Sequence, residues 1–110
     1  MISNFQENSE DNEMLNEIKN KLGEEDYNKI IADIDSKCKQ IKEGSAISLI
    51  SAYGSDWRDK EMQKVYNVLE DENEAALYAG VIFKEAIRKT KFGNFEICKN
   101  KKGINLYYKR

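Results

Sequence analysis

The side chains that could do chemistry are unevenly supplied. Histidine is absent from all 110 residues, and there are two cysteines, Cys38 and Cys98. Histidine is the usual general base near neutral pH and a common zinc ligand. Ser–His–Asp and Cys–His mechanisms are therefore excluded within this chain. The cysteines are far apart and form no Cys-x-x-Cys pair; two thiolates alone do not build a structural zinc site. Both fall in regularly patterned segments and read as small buried apolar residues. A disulfide between them stays open, although a cytoplasmic chain rarely keeps one. Ser48 and Ser51 have no base nearby in sequence. Carboxylates are abundant, but they cluster in runs such as Glu24-Glu25-Asp26 and Asp71-Glu72. Asp33 and Asp35 are two apart, so on a helix they do not share a face. No glycine-rich phosphate loop or EF-hand loop is present. The expectation is a non-catalytic protein with no cofactor and no metal, with a lysine- or carboxylate-based active site formally open.

Lysine and arginine carry the outward-pointing signal. The chain holds 18 basic and 20 acidic side chains, a net charge of −2. Residues 81–110 contain nine basic groups (Lys84, Arg88, Lys89, Lys91, Lys99, Lys101, Lys102, Lys109 and Arg110) against Glu85 and Glu96, or +7. The first 80 residues then carry nine basic and 18 acidic groups, or −9. A basic segment of this density suits a polyanion such as nucleic acid. Two plainer accounts stand beside it: the halves neutralise each other in the fold, or the lysines are simply solvated.

The elements that must position these residues follow from apolar spacing. The first eight residues are polar apart from Ile2 and Phe5, and read as a flexible tail. Ser9 can cap a helix whose stripe is Leu15, Ile18 and Leu22, with Gly23 as its stop. A second helix begins near Glu24 and carries Tyr27, Ile30, Ile31, Ile34, Cys38 and Ile41 at steps of three and four. Ser45 can cap the segment 46–53, which fits either a helix or a strand. After a turn at Gly54 and a cap at Ser55-Asp56, residues 57–70 repeat as a helix, with Trp57 as a staple. Asp71, Glu72 and Asn73 read as a polar joint. Residues 74–90 are apolar nearly all round and should form the central buried helix. Gly80 within it implies a close helix crossing or a distortion.

From Phe95 the period changes to two. Phe95, Ile97, Ile104, Leu106 and Tyr108 are expected on one face, and Glu96, Cys98, Asn105 and Tyr107 on the other. Asn100-Lys101-Lys102-Gly103 forms a basic hairpin tip. The expected core is Leu15, Ile18, Ile30, Ile34, Leu49, Val65, Leu69, Leu77, Ile82, Phe83, Ile87, Ile97 and Leu106.

Helix, short joint, helix ending in Arg88-Lys89-Thr90-Lys91, then a lysine-tipped hairpin: this order over 57–110 resembles winged helix-turn-helix DNA-binding domains. The resemblance implies that Lys84, Arg88, Lys89 and Lys91 lie along a groove-facing helix, and that Lys99, Lys101 and Lys102 reach phosphates from the wing. The competing class is a protein-interaction module, such as a phage-type inhibitor, an immunity-type protein or an adaptor. It would offer acidic helix faces, with Glu24, Glu25 and Asp33, to a basic partner.

The fold expectation is therefore α+β and mostly helical: four or five helices in one domain over residues 9–110, closed by a winged-helix-like C-terminal β-hairpin. No apolar run approaches the roughly 18 residues of a membrane span, and no signal-peptide pattern follows Met1. A cytoplasmic location, no membrane partner, and nucleic acid or protein as partner complete the reading.

Overall fold

Gly23 ends one helix and begins the next. In the computed structural model, which describes residues 9–54, 61–99 and 101–110, helix α1 (Ser9–Leu22) buries Leu15, Ile18 and Leu22. The Gly23 N–H donates to the Lys19 carbonyl at 2.9 Å, and the Gly23 carbonyl accepts the Tyr27 N–H at 3.0 Å. Its φ of 86° is a conformation that glycine adopts without steric cost. Helix α2 (Glu24–Gln40) then buries the expected stripe of Tyr27, Ile30, Ile34 and Cys38. The tail at residues 1–8, the Ser55-Asp56 cap and the Trp57 staple lie outside the described residues.

The ambiguous segment 46–53 is both alternatives in succession. Strand β1 (Ala46–Ile47) is followed at once by helix α3 (Leu49–Tyr53). The cap between them is Ser48, three positions beyond the expected Ser45. The Ser48 hydroxyl accepts the Ser51 N–H at 3.1 Å, and the Ser51 hydroxyl accepts the Ser48 N–H at 2.8 Å. This reciprocal pair satisfies two backbone donors at the helix start.

Helix α4 (Gln63–Leu69) ends at Glu70, and helix α5 (Glu72–Lys89) starts directly after Asp71. The expected polar joint is thus a cap and a first turn. The Asp71 carboxylate accepts the Glu74 N–H at 2.9 Å, which fixes the start two residues early. Helix α5 packs against α1, α2, α3 and α4 and buries Ala75, Ala79, Ile82, Phe83, Ala86 and Ile87. Leu77, expected in the core, is 60% exposed. It lies two residues, roughly 200° of helix, from both Ala75 and Ala79, and so faces away from them. Gly80 marks neither a close crossing nor a break. Among the described residues, a Cβ built there meets nothing within 4 Å beyond its own stretch of helix, and α5 runs unbroken through it.

The chain closes with strands β2 (Phe95–Lys99) and β3 (Asn105–Lys109), and β1 pairs along the other edge of β3, giving the antiparallel order β1-β3-β2. Lys99 pairs with Asn105, Ile97 with Tyr107 and Phe95 with Lys109. The faces of β3 are therefore reversed from expectation. Tyr107 is buried, 2% exposed, with its ring edge-on to Phe83 at 5.6 Å, while Tyr108 is 40% exposed. Leu106 and Tyr108 share the outer face with Cys98 and Glu96. The cause is loop length: an odd number of residues separates Lys99 from Asn105, and a one-residue change flips every side chain. Leu49, Leu69 and Ile97 are partly buried against the core. Cys38 is buried as expected, but Cys98 is exposed, because it lies on the outer face of the sheet opposite Leu106; both are free thiols, so the disulfide alternative is not formed. Among the described residues no helix is long and apolar enough to cross a membrane.

Candidate nucleic-acid interface

The basic C-terminal residues divide by what they touch. Lys84 extends from α5 to α1, where its Nζ lies 3.5 Å from Asp11. Arg88 donates from Nε and Nη2 to one Glu85 oxygen at 3.0 and 2.8 Å. Lys89 approaches the other Glu85 oxygen at 2.9 Å. Burial by itself would raise the Glu85 carboxyl, but the hydrogen bonds and charges of Lys89 and Arg88 outweigh it and hold the carboxyl below its ordinary value. The basic end of α5 is thus organised around one carboxylate. Its spacings, i to i+3 and i+4, were readable as a sequence signal.

Lys109 is occupied differently. Its Nζ donates to the carbonyls of Cys38 and Ile41 at 3.0 and 2.8 Å. These carbonyls are at the end of α2, so Lys109 acts as a cationic cap on that helix. No spacing in the sequence points to this role, because the partners are about seventy positions away. Arg110 pairs with Glu96 across the outer face of the sheet.

The remaining lysines, Lys91, Lys99, Lys101 and Lys102, are exposed. The hairpin brings Lys99, Lys101 and Lys102 together: Lys99 is the last paired residue of β2, and the other two lie in the turn just beyond. Lys91 sits before β2, at the opposite end of the hairpin. The resemblance-derived set therefore falls into three places rather than one surface: the tip, the connection at Lys91, and the ion-paired end of α5. Asn100, expected in the tip, lies outside the described residues.

The acidic set is also dispersed. Glu24 and Glu25 are exposed in the first turn of α2, with Glu25 3.4 Å from Lys29. Carboxylates there stabilise the positive end of the helix dipole. Asp33 lies more than two turns further on. It accepts the Tyr53 hydroxyl at 2.5 Å and lies 3.6 Å from Lys37. Burial and this hydrogen bond push the Tyr53 phenol well above its ordinary value. Asp33 thereby ties α3 to α2.

Among the described ion pairs, Lys84–Asp11 joins the acidic and basic segments, whereas Arg88, Lys89 and Arg110 pair within the basic one. Among the described residues no group of three or more Cys, Asp or Glu converges to hold a metal ion. Set against family models, curated proteins and solved structures, the chain returns no match.

Proposed function

We propose that this is a non-catalytic binding protein that contacts the phosphate backbone of a nucleic acid through the tip of its C-terminal hairpin. The observation that carries this reading is the grouping of Lys99, Lys101 and Lys102 at one exposed tip. The basic residues of α5 are engaged by Glu85 and Asp11 and take a secondary part. The adjacent carboxylate of Glu96 is paired with Arg110, which removes the nearest anionic group on β2 from competition with phosphate.

Three lysines acting as point charges supply affinity without reading bases. The interaction is then weak, sequence-tolerant and salt-dependent, with a log–log salt slope of about −2 to −3 on duplex for two or three phosphates neutralised. The acidic remainder of the chain orients the approach, turning the tip toward a polyanion and the helices away from it. The competing reading, an acidic face that captures a basic protein, has less support: Asp33 is engaged by Tyr53, and Glu24 and Glu25 serve the start of α2.

The test is a fluorescence-anisotropy titration with labelled duplex and single-stranded oligonucleotides at several salt concentrations. Saturable binding with a slope of about −2 to −3 is expected. No binding at low ionic strength removes the proposal.

A further inference from the structure

A cleft of about 560 Å³ lies between α1, α2 and α5, within the range of about 300–1,000 Å³ that small-molecule sites occupy. Helix α1 lends it Asn12, Asn16 and Lys19, whose spacing of i, i+4 and i+7 puts them on one stripe. Helix α2 adds Tyr27 and Asn28, and α5 adds Glu85, Arg88 and Lys89. The apolar part of the lining is Leu15 and Ala86, both buried, with Ile31 partly so. An apolar lining with a few placed polar groups is the usual composition of a ligand site.

Two features of this lining are left unanswered by the protein itself. The first is hydrogen bonding. Tyr27 is only 6% exposed, yet among the described residues its hydroxyl has no hydrogen-bond partner. A buried tyrosine hydroxyl ordinarily finds one. The side-chain amides of Asn12, Asn16 and Asn28 also have no partner among the described residues, and each offers both donors and an acceptor. The second feature is charge. Arg88 and Lys89 share the single carboxylate of Glu85, which neutralises only one of them. Lys19 has no carboxylate partner among the described residues; its Nζ stands 5.0 Å from the centre of the Tyr27 ring. Three cations against one carboxylate leave the lining at +2.

We infer that this cleft binds a mononucleotide: a phosphate monoester joined to a planar base. A phosphate monoester carries about −1.5 to −2 near neutral pH, which matches the surplus. Arg88 and Lys89, gathered on Glu85, are the anchor for that group, and a guanidinium is well shaped for phosphate. A base can lie against the apolar lining with its edge toward the side-chain amides, since asparagine pairs with a base edge through a donor and an acceptor together. Inorganic phosphate would leave the apolar lining and the amides unused. The site is separate from phosphate contact at the hairpin tip, because Lys99, Lys101 and Lys102 do not line it.

The experiment is isothermal titration calorimetry of the whole protein at low salt. The probes are the common ribonucleoside monophosphates, their nucleosides, ribose phosphate and inorganic phosphate. At least one monophosphate should saturate a single site, about tenfold or more tighter than its nucleoside, ribose phosphate or inorganic phosphate, as the loss of one charge-assisted hydrogen bond implies. Lys89→Glu should weaken it about tenfold or more, and less so at high salt. Tyr27→Phe should weaken it several-fold and leave the urea midpoint unchanged, because no bond within the protein is lost. The double variant Lys101→Glu, Lys102→Glu should bind the monophosphate like the parent. The inference is overturned by any of four results: no saturation by any monophosphate, equal affinity for ribose phosphate or inorganic phosphate, unchanged affinity in either cleft variant, or loss of binding in the tip variant.

Discussion

The Lys109 ammonium donates to the Ile41 carbonyl at 2.8 Å and to the Cys38 carbonyl at 3.0 Å. The last residue of β3 thereby donates to two carbonyls at the end of α2, where a helix runs out of N–H partners, and the Cys38 carbonyl also accepts the Ile41 N–H at 3.3 Å. The Lys109 stem runs beside Gly93, where an added Cβ would come within 2.6 Å of its Cε. Replacing Lys109 by Met keeps the apolar stem and removes the donors. Hydrogen bonds to charged groups contribute about 1.5–3 kcal/mol each, and water can replace part of this at a half-buried site. A loss of about 1–3 kcal/mol is expected, measured as a shift in the urea midpoint. An unchanged midpoint would show that the cap is dispensable.

Alkaline pH should destabilise the fold in a defined window. Burial, with the charge of Asp35 behind it, pushes the Cys38 thiol from 9.0 to about 11. Burial likewise raises the phenols of Tyr27 and Tyr107 from 10.0 to about 12. Between those values the folded chain retains protons that the unfolded chain has released, so stability falls as pH rises. The decline begins near pH 9 with the thiol and steepens above 10 with the phenols. Urea midpoints at a series of pH values test this. Tyr107→Phe should flatten the upper part of the profile; a profile as steep as the parent's would dissociate Tyr107 from the effect.

At the hairpin tip, Lys101→Glu and Lys102→Glu together should lower oligonucleotide affinity at least tenfold at low salt. The log–log salt slope should become less negative by about 1 for each phosphate that is no longer neutralised. Both positions are exposed, so the melting temperature should barely move. Retained affinity in the double variant would exclude the tip as the binding surface.

Gly80→Ala should stabilise the protein by about 0.5–1 kcal/mol, because the backbone there is helical and the new methyl group enters open space. Thermal melts read this directly. A loss of stability would mean that the added methyl group meets a neighbouring atom at this position.

The early helices were the most legible part of the chain. Leu15, Ile18 and Leu22, then Tyr27, Ile30, Ile34 and Cys38, repeat at helical spacing and are buried together. Periodicity also located the hairpin but not its inner face. That depended on how many loop residues separate Lys99 from Asn105, and spacing alone does not set this. The Asp71 cap was visible as a residue type but read as a joint, because neighbouring acidic residues suit a loop and a helix start equally. Of the candidate site, the tip lysines could be placed from sequence, and the Glu85 clamp was available from its i+3 and i+4 partners. The engagement of Asp33 by Tyr53 and of Lys84 by Asp11 could not be read, since each joins elements remote in sequence.

The pairing of β1 with β3 also sets a schedule. Ala46 and Ile47 find their partners at Tyr108 and Tyr107, about sixty residues later. Helices α1 and α2 can form from local contacts while the chain is still emerging from the ribosome. The sheet cannot close until β3 has been made, and contacts of such long sequence separation are the slow ones to form. Until then Ile47 has no strand to pair with. An unpaired strand edge of this kind is what β3 covers when it joins the sheet, and such edges favour aggregation while they stay open.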